Sequence, residues 1–433
     1  MHNIATKSQK LLLRRSIRWS VAFNVLIIAM LAVVFDIMIL PDILPNSVPI
    51  LLLLIWCISA YFIEGKRIIT ITRSESVWWI VILLWETILE LLGFSNIGIN
   101  NILFRIPVYC LPFIMSFVIR YYYYRERVLL FVVLFLVVLL NIVKNDIIGY
   151  YNPWMYESLN RSDGFGAGST TFTAVSLFFL PVCFLLLIYK TSKYIKLASL
   201  FSIGAAAYYF FVLNSRGTAF FLFLIILVGF LFSPKRSFNN MSPLYIFLTV
   251  LSLILFFYLL FNPFVNALRV VFVGNERLLD KLNNITDFSQ TQNMQDTGSL
   301  GVRIQLSLIS LHTWVGGIPN FFFGIGEHAV YNISMQGLTN AGVGQHSQLF
   351  DHLAQYGLLG GLILYKAVKN TLSFVLRRTH STKMYNRTFV VLLVFILYSF
   401  LNNSLIGNIL FVVFLVFPLV VDIIENKEDM SYE

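Results

Sequence analysis

The chain has 433 residues, 58% of them hydrophobic and 12% charged, with 41 phenylalanines and a formal net charge of +10. Soluble domains carry roughly 25% charged residues, so a water-soluble globule could not hide this much apolar surface, whereas a bilayer can. Inside a bilayer the backbone has no water to bond, which leaves only helices or a closed barrel.

The apolar runs approach the roughly 20 residues a spanning helix needs and show no period-2 polar alternation, which selects helices over a barrel. In chain order the candidate spans are Ser20–Leu40, Val48–Ile63, Val77–Leu92, Leu103–Ile119, Val128–Val143, Phe172–Tyr189, Leu197–Leu213, Ala219–Phe232, Pro243–Phe264, Ser347–Tyr365, Phe389–Leu401 and Leu405–Val421. The expectation is an all-α polytopic membrane protein of about twelve transmembrane helices, forming a single integral membrane domain over 1–433. The spans starting at Ala219 and Phe389 are short, open to being tilted, re-entrant or misplaced. A basic stretch precedes the first run, which is too long for a signal peptide and lacks a small-residue exit, so it reads as an anchor. Cys57, Cys110 and Cys183 lie inside apolar runs, the setting of packing residues rather than of a disulfide framework.

Positive charge orients such a chain. With both termini cytoplasmic, most of the 31 basic residues collect on the inner side, where anionic lipid is partner enough. This distribution, rather than nucleic-acid binding, accounts for the net charge. Arg105, Lys144, Arg161, Arg216, Arg269, Arg277, Lys281 and Arg303 fall outward or within the membrane, and need an anionic side chain or ligand.

Two outward segments are large. Lys144–Thr171 carries Tyr150, Tyr151, Trp154 and Tyr156, which suit an interfacial belt or a sugar-stacking surface. The segment 266–345, between the ninth and tenth spans, is too long for a connector and reads as a partly helical extracytoplasmic loop. Leu300, Ile304, Leu308 and Leu311 recur there at helical spacing, so Leu300–Trp314 reads as an amphipathic helix lying on the bilayer.

Several residues could carry chemistry. Glu86 and Glu90 share one face of the third span at i, i+4. Glu90 can pair with Arg105 across a short loop, while Glu86 lies a turn deeper, where a cation or proton path is open to it. Ser215-Arg216-Gly217 joins two spans so tightly that Arg216 must lie at the outer membrane surface. A guanidinium there can snorkel to the interface or grip a phosphate or pyrophosphate bidentately. Arg303 stands in the first turn of the amphipathic segment, as a solvated arginine or a second anion contact. His346 stands where a polar loop gives way to an apolar helix, GVGQHSQLFDHLAQYGLLGG over 342–361. Its near-neutral reference pKa suits a general base, although a lone histidine is more often structural. No HExxH, Cys/His cluster, EF-hand or P-loop is present, so neither a metal nor a nucleotide cofactor is expected.

The order of these features is recognisable: Ser215-Arg216-Gly217 after a span, then Gly301-Val302-Arg303 in a large outer loop. The turn Pro319–Gly326 follows, and then His346-Ser347 leads into Asp351–Gly361. The series, over roughly residues 213–361, resembles the O-antigen polymerase and O-antigen ligase family of bacterial envelope glycosyltransferases, with Ser347 where many members carry Asn. The resemblance implies a multi-pass protein of the bacterial cytoplasmic membrane with its active site on the extracytoplasmic face. It also implies donor and acceptor glycans linked to polyprenyl pyrophosphate, with a flippase and a chain-length regulator as candidate partners. On that basis His346 would take the proton of the acceptor hydroxyl, Arg216 and Arg303 would hold the pyrophosphate, and Asp351 would orient the histidine or a sugar hydroxyl. A ligase with a lipid A-core acceptor is the nearest rival, and a lipid-linked oligosaccharide flippase is the rival from another class. A transporter would concentrate charge in paired broken helices at mid-membrane, whereas the unexplained charges here gather on one outer face.

Overall fold

The computed structural model describes residues 67–92, 127–151, 170–189, 193–208, 217–231, 298–326, 343, 347–377, 379–405 and 407–429, with single positions at 51, 55, 58 and 270. Regular structure among them is helical, with no strand. The helices are α1 (Arg67–Leu91), α2 (Arg127–Tyr151), α3 (Thr170–Ile188), α4 (Lys193–Tyr208), α5 (Gly217–Leu231), α6 (Gly298–Val315), α7 (Ile318–Phe323), α8 (Gln348–Leu376), α9 (Thr382–Leu401) and α10 (Gly407–Phe411). A π-helical segment, Val412–Val416, joins α10 to α11 (Phe417–Asp429).

Each candidate span that falls on described residues is helical there, save for single residues at the ends of four of them. The spans Ser20–Leu40, Leu103–Ile119 and Pro243–Phe264 lie outside the described residues, as do most of Val48–Ile63, the segment 152–169 and most of the loop 266–345. Among the described helices, α8 and α9 are long and apolar enough to cross a membrane. α9 begins seven residues before the apolar run at Phe389. The extension carries Arg387, which the charge count placed in the cytoplasmic tally but which is buried. Its guanidinium donates to Tyr189 Oη at 3.1 Å and to the Phe230 carbonyl at 3.4 Å, so a polar first turn can pack against the ends of α3 and α5.

The core centres on α3. Ala174, Val175, Leu177, Phe178, Phe179 and Val182 are all buried, so this helix is apolar all round and enclosed all round. Phe178 meets Phe395 and Tyr398 of α9 edge-on, and Phe135 of α2 packs on Phe179 at a centroid distance of 5.0 Å. Cys183 is buried and unbridged in the same cluster, as a packing residue should be. Outward positions are apolar as well, including Leu84, Ile88, Leu136 and Leu140. Water would solvate that surface poorly; lipid would not.

Against α8 lies α1. Trp79 Nε1 donates to Thr371 Oγ1 at 3.0 Å, and Trp85 Nε1 to the Tyr356 carbonyl at 3.3 Å. Numbers rise along α1 as they fall along α8, so the two helices run antiparallel.

Candidate functional site

The site is built where α8 starts. Ser347 is its N-cap, with extended backbone and a side-chain oxygen that accepts the Phe350 N–H at 3.4 Å. One turn on, the Asp351 carboxylate folds back to the helix start and accepts the Ser347 N–H on Oδ2 at 3.0 Å. Serine and aspartate thus answer two of the orphan donors at the helix N-terminus, where the macrodipole also favours negative charge. The other carboxylate oxygen, Oδ1, accepts from Ser310 Oγ of α6 at 2.6 Å. Ser310, Ser347 and Asp351 are all buried.

This hub joins two elements that sequence reasoning singled out separately. The peptide whose N–H meets Asp351 is the one that follows His346. Position 303 lies seven residues before Ser310, two helical turns earlier in α6. The buried side of α6 is marked by Leu306, Ile309, Ser310 and Thr313. The leucine spacing that announced the helix falls elsewhere, since Leu308 is half exposed. The helix therefore exists, but it packs through the side carrying Leu306 and Ile309, where Ser310 also finds a carboxylate to bond.

A second feature holds the hub in place. Gly357 interrupts α8 with φ 66° and ψ −171°, a conformation open essentially to glycine alone. The break frees carbonyls that an unbroken helix would use, and neighbours take them. Ile325 N–H donates to Ala354 O and Gly326 N–H to Gln355 O, each at 2.9 Å, while the Trp85 indole takes Tyr356 O. Irregular backbone at membrane depth is tolerated on this condition. Gly324, with φ 78°, meets the break backbone to backbone: a Cβ on it would strike Gln355, and one on Gly357 would strike Phe322. The turn after α7 is further fixed by Trp314, which stacks on Phe321 and donates to its carbonyl at 3.0 Å.

The adjacent histidine belongs to a different face. His352 is buried, donates from Nε2 to the Gly360 carbonyl at 3.2 Å, and packs on the Tyr356 ring. Asp351 and His352 turn to different partners, in keeping with the roughly 100° between neighbouring helix positions. Across from α6, the start of α8 is tied to the turn after α9. Gln348 N–H donates to Asn402 O at 3.3 Å, and its Oε1 accepts the Leu405 N–H at 3.1 Å. Between α8 and α9 lies a cavity of about 500 Å³, lined mainly by apolar side chains such as Leu349, Leu364, Leu372 and Phe395, with His352 and Ser404 toward the start of α8.

Of the residues singled out from sequence, Asp351 and Glu86 are described in full. Glu86 is buried on the inward face of α1 with Trp79, Ile82 and Leu89. Arg303 is described by its place in α6 only, and Ser215, Arg216 and His346 lie outside the described residues. Sequence reasoning missed Ser310, which looks like one more serine on a half-apolar helix. It also left Gly357 without a specific task, although a glycine doublet's neighbour within an apolar run was a visible signal.

Residues 201–365 match the family model described as O-antigen ligase, which supports assigning the chain to the O-antigen polymerase and ligase family. No curated protein matches the chain. The family is one of bacterial membrane proteins whose substrates are lipid-linked oligosaccharides.

Proposed function

We propose that, in keeping with the O-antigen ligase family model that residues 201–365 match, the protein is a polysaccharide polymerase at the outer face of the bacterial cytoplasmic membrane. It moves a glycan from its polyprenyl pyrophosphate onto a hydroxyl of another lipid-linked repeat unit. The acceptor oxygen attacks the anomeric carbon, its proton passes to His346, and the bond to pyrophosphate breaks with the electron pair leaving on the phosphate oxygen. Arg216 and Arg303 stabilise that charge as it develops, and His346 contributes roughly 10²–10⁴-fold as general base. Direct displacement inverts the anomeric centre. Pyrophosphate is already a competent leaving group, so the step has no call on a metal or a protonated acid.

The observation that supports this reading most is the buried Asp351 carboxylate, which joins the helix bearing Arg303 to the peptide following His346. The apolar cavity between α8 and α9 suits hydrocarbon better than sugar, as a lipid-carried substrate requires. Ser215 and Glu86 take supporting places, Ser215 beside Arg216 and Glu86 in the packing of α1.

Single replacement of His346, Arg216 or Arg303 by Ala, with the surface glycan resolved by chain length, tests the reading. A polymerase leaves one repeat unit or none while the protein still accumulates in the membrane. A ligase leaves long chains on the lipid carrier and none on the lipid A-core. Normal long-chain surface glycan in the His346→Ala variant removes the mechanism.

A further inference from the structure

We infer that the half of the α8–α9 cavity nearest the end of α8 holds one anionic phospholipid, its phosphate on Lys369 and an acyl chain laid along Val368 and Leu372. The cavity measures about 500 Å³, inside the range of about 300–1,000 Å³ usual for small-molecule sites. Its walls in this half are Leu364, Val368, Leu372 and Leu376 of α8, with Phe395 and Ile396 of α9. Tyr365, on the same lining, is more than half exposed, so the cavity reaches the outer surface of the bundle there. A void with such walls gives water few polar partners and takes up apolar guests.

Charge is what selects a phospholipid. Among the described residues, Lys369 is the one full charge on the lining, and the lining carries no carboxylate to answer it. A lysine near a helix end ordinarily extends toward the nearer interface, here toward Arg377. Lys369 does the opposite: its ammonium stands over the ring of Tyr365, four residues back, at 5.6 Å from the centroid. Helical side chains lean toward the N-terminus, and the ring holds that lean by a cation–π contact. The ammonium therefore stays at the lip of an apolar cavity, a place that is costly for a cation without an anion. A phosphate whose chain runs back along α8 brings the anion and the hydrocarbon in one molecule. From position 369 to position 361 is about 12 Å of helix, within one leaflet of a hydrocarbon core about 30 Å thick. A neutral tail reaching down from the opposite face, as the substrate's would, brings no charge to Lys369 and keeps to the half near Ser404. Basic pockets between spanning helices on the cytoplasmic side take anionic headgroups, and Lys366, Lys369, Arg377 and Lys383 mark this end as the cytoplasmic one.

The test uses the full-length protein, stripped of lipid in detergent and titrated by native mass spectrometry. The probes are phosphatidylglycerol and, separately, phosphatidylcholine with the same acyl chains. The wild type should bind its first phosphatidylglycerol about fivefold more tightly than phosphatidylcholine, the size of one basic contact at a bilayer surface. Lys369→Ala should abolish that preference and Lys369→Arg should keep it. Leu372→Trp, which fills the cavity, should weaken both lipids. Equal affinity of the wild type for the two lipids overturns the inference, and so does a preference that survives Lys369→Ala. If Leu372→Trp does not accumulate, the Ala and Arg pair decides alone. A Leu372→Trp protein that loses a polyprenyl-pyrophosphate carrier, yet binds phosphatidylglycerol as the wild type does, gives this half of the cavity to the substrate and also overturns the inference. Glycan transfer enters none of these readouts, so the inference stands or falls separately from the polymerase reading.

Discussion

Glycine does opposite things at two places in this chain, and the contrast is measurable. Gly357 and Gly324 hold positive φ and touch each other's backbone neighbours, so neither can accept a Cβ. Gly204, in α4, has nothing within 4 Å of where a Cβ would stand. Gly357→Ala should therefore lose roughly 1–3 kcal/mol to backbone strain alone, with the collision against Phe322 added, and the α7 turn should detach from the break. Gly204→Ala should gain about 0.4–1 kcal/mol, because alanine restricts the unfolded chain and suits a helix. Thermal melting of the two variants in the same detergent reads both signs. A melting temperature for Gly357→Ala at or above the wild type would show that α8 can straighten without cost.

The helices themselves were legible because a bilayer leaves so few options. An apolar run near spanning length becomes a helix whatever its details, and each run on described residues did. What was not legible was which side of a helix faces its neighbour. In α6 the leucine spacing pointed to one face, while the buried face is the other, where Leu306 and Ile309 pack beside Ser310, whose hydroxyl bonds a carboxylate. In α9 the apolar run began at Phe389, yet the helix begins at Thr382 because Arg387 found partners on α3 and α5. Such choices depend on residues 41, 157 and 198 positions away, so no local pattern contains them. The start of α9 offers a test at this scale. Beyond the apolar part of α11, both Glu425 oxygens accept N–H groups, from His380 at 3.0 and 2.8 Å and from Ser381 at 2.9 Å, just ahead of the Ser381 cap. Burial pushes the Glu425 carboxyl up, against the downward pull of those donors. A folded pKa raised above the unfolded value contributes stability that is fully present below the ordinary carboxylate range and is lost as pH rises through the folded value. The melting temperature of the wild type relative to Glu425→Gln should therefore fall as pH rises from about 4 to 7. A difference that stays flat across that range would show that the donors cancel burial, and one that rises with pH that they outweigh it.

At the scale of the whole molecule, side-chain ties sort the helix ends into two groups, and the sorting bears on topology. Arg387 at the start of α9 meets Tyr189 just past α3 and Phe230 at the end of α5. His380 and Ser381, between α8 and α9, meet Glu425 near the end of α11. Trp79, midway along α1, meets Thr371 near the end of α8. At the opposite end, Gln348 at the start of α8 meets the turn between α9 and α10, and Trp85 sits over the break that receives α7. Those groupings agree with the in-and-out alternation that the positive charges call for, but an alternating bundle inverted in the membrane would show the same ties. Orientation is then a charge argument: Lys366, Lys369, Arg377 and Lys383 cluster toward one end, and such clusters are retained on the cytoplasmic side. Thr382 and Ile318 are both exposed and lie at opposite ends, Ile318 with 77% of its surface free. With Cys57, Cys110 and Cys183 first replaced, a cysteine at position 318 should react with a membrane-impermeant maleimide in cells stripped to the cytoplasmic membrane. One at position 382 should react only after the membrane is opened. The reverse pattern would put the Asp351 hub on the cytoplasmic side, where a glycan already carried across the membrane could not reach it, and the polymerase reading would fail with the orientation.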